Sequence, residues 1–255
     1  MDNRIGAVGA ELAAKAVPDG YTVMFTTSAL AVRDSLYANL PYNTLRDFQP
    51  VTQVLTQSNV LVVHPSVPAR TVKDLIAYAK TRPGQLNYGS GGNGTSNHLA
   101  GALFQLLANI DVVHIPFKGV PAALTDTVAG RVHYTMGSPV STLPHVKENH
   151  LKLLAVTTPR RSPSLPDVPA IAESLPGYEF TGWMGLLVPV KVPRAIVDKL
   201  HKETVRIVHL PDVTQKLKLD AAEPVGNTPE EFSVHLKSKV ARWTKVVKAA
   251  AIKAE

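Results

Sequence analysis

Along this chain, apolar runs of strand length alternate with stretches in which apolar residues recur at helical spacing, the pattern of an α/β protein. The runs predict strands over 21–27, 51–56, 59–64, 85–88, 112–116, 132–136, 151–157 and 180–189, with helices between most of them. The best delimited helix is 72–82, opened by Thr71 with Asp74 three residues on and stopped by Pro83 and Gly84. Further helices are expected over 29–38 and 96–108, and a last one starts at Thr228, Pro229 and Glu231, a hydroxyl cap followed by proline at the first helical position.

Two proline-rich punctuations, at 65–68 and 189–193, each follow an apolar strand and precede a helix. They read as the points where the chain passes between two lobes. Residues 64–185 then form one lobe, and residues 1–63 with 186–255 form the other.

Composition narrows the function classes. With 45% hydrophobic and 18% charged residues in 255, the chain carries enough apolar content for a folded core and shows neither a disordered bias nor a fixed repeat. Its longest apolar stretch, 184–190, is far below the roughly 20 residues that span a bilayer. The first ten residues lack the basic start and long apolar centre of an export signal. The absence of cysteine excludes disulfides and thiolate chemistry.

A formal charge of +7 draws anions to the surface, but the basic residues are scattered. Lysines 237, 239, 245, 248 and 253 read as the wet face of the last helix, and no aromatic platform accompanies them. Small anions are therefore expected as ligands, and nucleic acid is not.

The most informative stretch is YGSGGNGTSNHLAG at 88–101, a strand running through a glycine-rich turn into a helix. Main-chain N–H groups around Gly91, Gly92 and Gly94, with the hydroxyls of Ser90, Thr95 and Ser96, make a pocket for a carboxylate or similar anion at a helix N-terminus. A plain flexible turn is the bland alternative. Gly89, Gly91 and Gly94 match GxGxxG, yet the acidic residue that should end the next strand is absent, and Asp111 opens that strand instead. Thr95 stands where a phosphate loop needs lysine, and Tyr88 where a nucleophile elbow needs glycine. His98, in the first turn of the helix, is read as packing against the loop.

No two histidines flank a glutamate at i, i+4, and His145 and His150 stand five apart, so neither a metal nor a cofactor is expected. Scattered carboxylates form no acid and base pair, so no catalysis is expected. Further walls for an anion site come from Lys118 and Gly119 after the strand ending in Phe117, from Gly137 and Ser138 before Pro139, and from Ser28 after Thr26 and Thr27. Trp183 and Trp243 are read first as packing residues.

Six segments in order, DNRIGAVG at 2–9, PDGYTV at 18–23, the loop at 88–101, PFKGVPAALTD at 116–126, GWMGLLVPVKVP at 182–193 and TPEEF at 228–232, resemble the Bug family of extracytoplasmic solute receptors of tripartite tricarboxylate transporters. The resemblance implies a type II periplasmic-binding-protein fold, two lobes joined by two crossing strands with a ligand cleft between. It implies a periplasmic location, a small carboxylated ligand and the membrane permease subunits of a tripartite transporter as partners. Carried onto this chain, the ligand-binding positions are Ser28, Ser90, Gly91, Gly92, Gly94, Thr95, Ser96, Lys118, Gly119 and Gly137.

Members of that family open with a signal peptide, a strand, a glycine-containing loop and a helix before the segment resembling 2–9. The chain given starts at about that segment, which leads to an expectation of an exposed sheet edge and of lower stability or self-association. Alternatives to a transport receptor are a sensor for a two-component system, a binding-incompetent truncated paralogue and, last, a nucleotide-dependent α/β enzyme.

Overall fold

The computed structural model describes residues 5–37, 39–249 and 252. Along the chain it contains α1 (Ile5–Ala14), β1 (Met24–Thr27), α2 (Leu30–Leu36), β2 (Phe48–Gln57), β3 (Val60–Val63), α3 (Val72–Lys80), β4 (Asn87–Ser90), α4 (Ser96–Ala108), β5 (Val113–Pro116) and α5 (Val120–Val128). There follow β6 (Tyr134–Gly137), α6 (Pro139–Lys147), β7 (Lys152–Val156), α7 (Ile171–Ser174), β8 (Gly182–Pro189), α8 (Arg194–Val208), α9 (Pro211–Leu219), β9 (Ala222–Pro224) and α10 (Pro229–Ala249). Each of the eight expected strands is present, while Ala38 and Lys253 of the expected helical stretches lie outside the described residues.

The chain divides into two compact units. Unit 1 comprises Met1–Thr56, Gly182–Leu217 and Ala222–Glu255, and unit 2 comprises Gln57–Thr181 with Lys218–Ala221. The divisions fall before residues 57 and 182, earlier than the expected 64 and 186. The reason is pairing: β3 lies in the sheet of unit 2, hydrogen-bonded antiparallel to β6 on one side and β7 on the other, and β8 from Gly182 on lies in the sheet of unit 1 beside β1.

Unit 2 is built on a five-stranded sheet in the order β5-β4-β6-β3-β7. All four residues of β3 and of β6 are buried, as expected of interior strands covered on both faces. Val60, Val62, Leu124, Leu151, Val156 and Ala170 form one core cluster. An aromatic cluster adds to the core: Tyr88 stacks on Tyr134 at 5.5 Å between ring centres, and Phe104 meets Tyr134 and Tyr178 edge-on at 6.2 Å.

Gly101 makes the aromatic packing possible. It lies inside α4, where a Cβ would come within 2.2 Å of the Tyr88 ring. In α3 the local code is equally plain, because Thr71 and Asp74 form the reciprocal capping box expected from the sequence.

Unit 1 carries a four-stranded sheet in the order β1-β8-β2-β9, with β1 antiparallel to β8. Trp183 on β8 is buried and meets Phe232 of α10 edge-on at 5.5 Å, and Gly185 leaves room for that ring. Trp243 is buried as well, so both tryptophans are packing residues. Strand β1 ends the sheet, and among the described residues no strand pairs with its free side. Phe25 on it is 57% exposed.

Two outcomes follow from this packing. Gly101→Ala gains up to about 1 kcal/mol of helix propensity but overpacks against Tyr88, which costs about 1–3 kcal/mol, so the net sign is destabilising. Urea unfolding showing a more stable variant would contradict the packing described. With Phe25 exposed on a strand whose outer side is unpaired among the described residues, the 255-residue chain is expected to associate with itself in sedimentation as concentration rises, and Phe25→Lys to reduce that association; a parent chain monomeric at every concentration would contradict it.

Candidate functional site

The site begins with strand direction. β4 pairs parallel with β5 and with β6, so the carboxyl ends of all three lie at one edge of the sheet, marked by Ser90, Pro116 and Gly137. Each of these strands is followed by a helix, and α4, α5 and α6 therefore start at that edge. Their N-cap residues, Thr95, Gly119 and Ser138, make no side-chain capping bond. The contrast with α3, and with α10, where Thr228 and Glu231 bond reciprocally at 2.9 and 3.2 Å, is informative. At this edge α4 and α5 leave main-chain donors open, whereas α6 starts on Pro139, its Val140 N donates to Asp220 Oδ1 at 3.1 Å, and Ser141 N and Thr142 N donate to Ser138 O.

The glycine-rich loop is held by its own hydrogen bonds. Ser90 is fully buried; its Oγ accepts from Gly92 N at 3.1 Å and lies 2.7 Å from His114 Nε2. Thr95 Oγ1 donates to Gly92 O at 2.6 Å, and Gly94 N donates to Nδ1 of His98 at 3.0 Å. Gly92 and Gly94 have φ of 115° and 73°, a region that L side chains rarely adopt. The turn after β5 is tied on, with Phe117 N donating to Ser90 O at 3.0 Å and Gly119 N to Gly91 O at 3.2 Å. The buried Asn97 donates its side-chain amide to Met136 O, joining the start of α4 to the end of β6.

These bonds sort the expected site residues. Ser90, Gly91, Gly92, Gly94, Thr95, Ser96, Lys118, Gly119 and Gly137 all gather at this edge. The Ser90 hydroxyl and the amides of Gly92, Gly94, Thr95 and Gly119 are engaged in building the loops. Among the described residues, the amides of Ser96, Asn97 and Val120 are left without a hydrogen-bond acceptor, and Lys118 is exposed beside them in sequence. Gly137 is buried, its α-carbon closed in by the Thr142 side chain. Ser28 belongs to unit 1, where it is buried at the end of β1 and donates its N–H to Trp183 O at 3.0 Å. Neither Ser28 nor Ser138 caps its helix, so the bland capping role weighed for both is not the one they fill.

His114 and Asn97 were not legible as site residues. The rings of His98 and His114 stack at 3.9 Å with 2° between their planes. His98 accepts from Gly94 at Nδ1, so its proton sits on Nε2 and the ring is neutral. Burial pushes His98 down to about 4, and burial, followed by the neighbouring charge of His98, pushes His114 down to about 3. Asp111 stands ahead of β5, at the opposite end of the strand from the loops, so the ribose-binding carboxylate of a dinucleotide site is missing from this edge.

The two depressed histidines give a pH dependence with a definite sign. In the unfolded chain both titrate near 6.5, so unfolding takes up protons below that value. Their contribution to stability is complete above about pH 6.5 and is lost as the pH falls toward the folded values. Around pH 5 the pair adds close to two protons of uptake on unfolding, and His98→Asn, which keeps an acceptor for Gly94, removes about one. Unfolding free energies measured from pH 4 to 7 test this; an unchanged slope in the variant would contradict the assignment.

Comparison with known proteins identifies the family and the fold. The family model described as tripartite tricarboxylate transporter family receptor matches residues 1–252. A protein encoded in the tcbD-tcbE intergenic region of Pseudomonas sp. strain P51 is 37% identical, covering 97% of this chain and 75% of its own. BugT of Bordetella pertussis is 30% identical over 97% of this chain and 78% of its own. Among solved structures, Rpa4515 of R. palustris, determined with adipate, superposes with a TM-score of 0.88 at 34% identity, covering 99% of this chain and 85% of its own. MatC of Rhodopseudomonas palustris, determined with bound malate, gives 0.81 at 27% identity, covering 95% of this chain and 84% of its own. The fold is thus that of the periplasmic binding proteins, and the chain belongs to the tripartite tricarboxylate transporter receptor family that includes the Bug proteins.

Proposed function

We propose that this chain is a receptor for a small dicarboxylate, which it binds without chemical change and delivers in the periplasm to the membrane permease of a tripartite transporter. The observation that carries the reading is the set of unpartnered amides of Ser96, Asn97 and Val120 at one sheet edge, donors of the kind a carboxylate accepts from. Two structural neighbours of this family hold adipate and malate, both dicarboxylates. Ligand charge is further favoured by the exposed Lys118 and by a net charge of +7.

In this reading Ser90, Thr95, His98 and His114 hold the loop, and the first-turn amides with Lys118 and the Ser96 hydroxyl make the contacts. Preformed donors cost little reorganisation on binding. A bound acid would leave unchanged, because the one hydroxyl paired with an imidazole, Ser90 with His114, is fully buried and its Oγ is engaged by Gly92 N in holding the loop.

Calorimetric titration with adipate, malate and, as a control, acetate tests the proposal. At least one dicarboxylate is expected to bind well above the monocarboxylate. Ser96→Pro keeps the helix start, where proline is tolerated, while removing one free N–H and one hydroxyl. It should weaken binding about tenfold, or about 1.4 kcal/mol, with little change in unfolding midpoint. No heat with any dicarboxylate, or full affinity in the variant, would overturn the proposal.

A further inference from the structure

Away from the anion loops, the turn that ends α6 gathers His145, Glu148 and His150. One ligand atom from each lies within 4.8 Å of the others. Glu148 Oε2 and His150 Nδ1 are 3.3 Å apart. Two ligands of a tetrahedral cation with bonds of about 2.0–2.1 Å are about 3.3–3.4 Å apart, so this pair already has the required separation. The remaining gaps close by about 1.4 Å at most, within reach of side-chain rotation in the two exposed residues. On the half-buried His145, Nδ1 is enclosed and has no hydrogen-bond partner.

The backbone holds these residues in place. Glu148 N donates to Pro144 O at 3.1 Å and Asn149 N to Val146 O at 3.0 Å. His150 N and Leu151 N both donate to His145 O, at 2.8 and 3.2 Å. Asn149 takes a left-handed conformation with φ of 60°, which turns the chain so that His150 comes back toward His145. A spacing of three and then two therefore converges here, although it would diverge on a continued helix.

We propose that His145, Glu148 and His150 form a surface site for a borderline divalent transition cation, zinc being the representative probe. Two imidazoles and one carboxylate suit zinc, copper or nickel far better than magnesium or calcium, which take oxygen ligands. Three protein ligands leave a fourth position open to water or an external donor. The exposed Lys147 on the same turn opposes the cation, which sets the expected affinity in the micromolar range rather than tighter.

The test uses the full chain without a histidine tag. Titration with zinc chloride at neutral pH is expected to show one micromolar site, with ring chemical shifts changing at His145 and His150. His145→Asn and His150→Asn should each weaken zinc binding about tenfold or more, with zinc-free unfolding midpoints near that of the parent. Dicarboxylate affinity should not change in either variant, so this site and the anion loops stand or fall separately. No binding at millimolar zinc would overturn the proposal. Binding that survives in the double variant, or shifts centred on other histidines, would overturn it as well.

Discussion

Three strands, β4, β5 and β6, run parallel side by side, so each must stop at the same edge and hand the chain to a helix there. That constraint organises unit 2. It brings three helix N-termini together; those of α4 and α5 present main-chain donors that no side chain caps, while the first free N–H of α6, that of Val140, donates to Asp220. Helix dipoles and N–H groups then favour negative charge at that edge without any charged side chain being buried. Lys118 adds a cation in solvent, where it costs no desolvation.

Holding such donors open requires a rigid loop, and the rigidity comes from neutral hydrogen bonds. Ser90, Gly92, Gly94, His98 and His114 are linked in one cluster, capped by two imidazoles lying face to face. Burial keeps both rings uncharged, and an uncharged His98 is the acceptor that Gly94 needs. The positive field at the site thus comes from oriented backbone groups, and the histidines contribute position rather than charge. Gly101 serves the same end from below, because the absence of a side chain lets Tyr88 pack under the start of α4.

Much of this was legible from the residues. Apolar runs and capping pairs located eight strands and the best-marked helices, because those signals are local. Thr71 with Asp74, and Thr228 with Glu231, bond as their spacing predicts. Strand β9, three residues reading AEP, carries no periodicity and was not legible. The division between units was displaced by several residues, since which sheet β3 joins is decided by partners far along the chain. At the site, the loops were legible but the orientation of their groups was not. Ser90 looks outward in the sequence and is turned inward by His114, 24 residues away. His145 and His150 were set aside for standing five apart, and a helical spacing rule does not describe a turn closed by a left-handed asparagine.

The most direct test of the central claim is the backbone amide spectrum of the assigned chain during titration with adipate and with malate. The account predicts that the amides of Ser96, Asn97 and Val120 shift strongly with at least one acid. Those of Gly92 and Gly94, already bonded within the loop, should shift less. Saturable binding with shifts elsewhere, leaving these three amides unmoved, would contradict it.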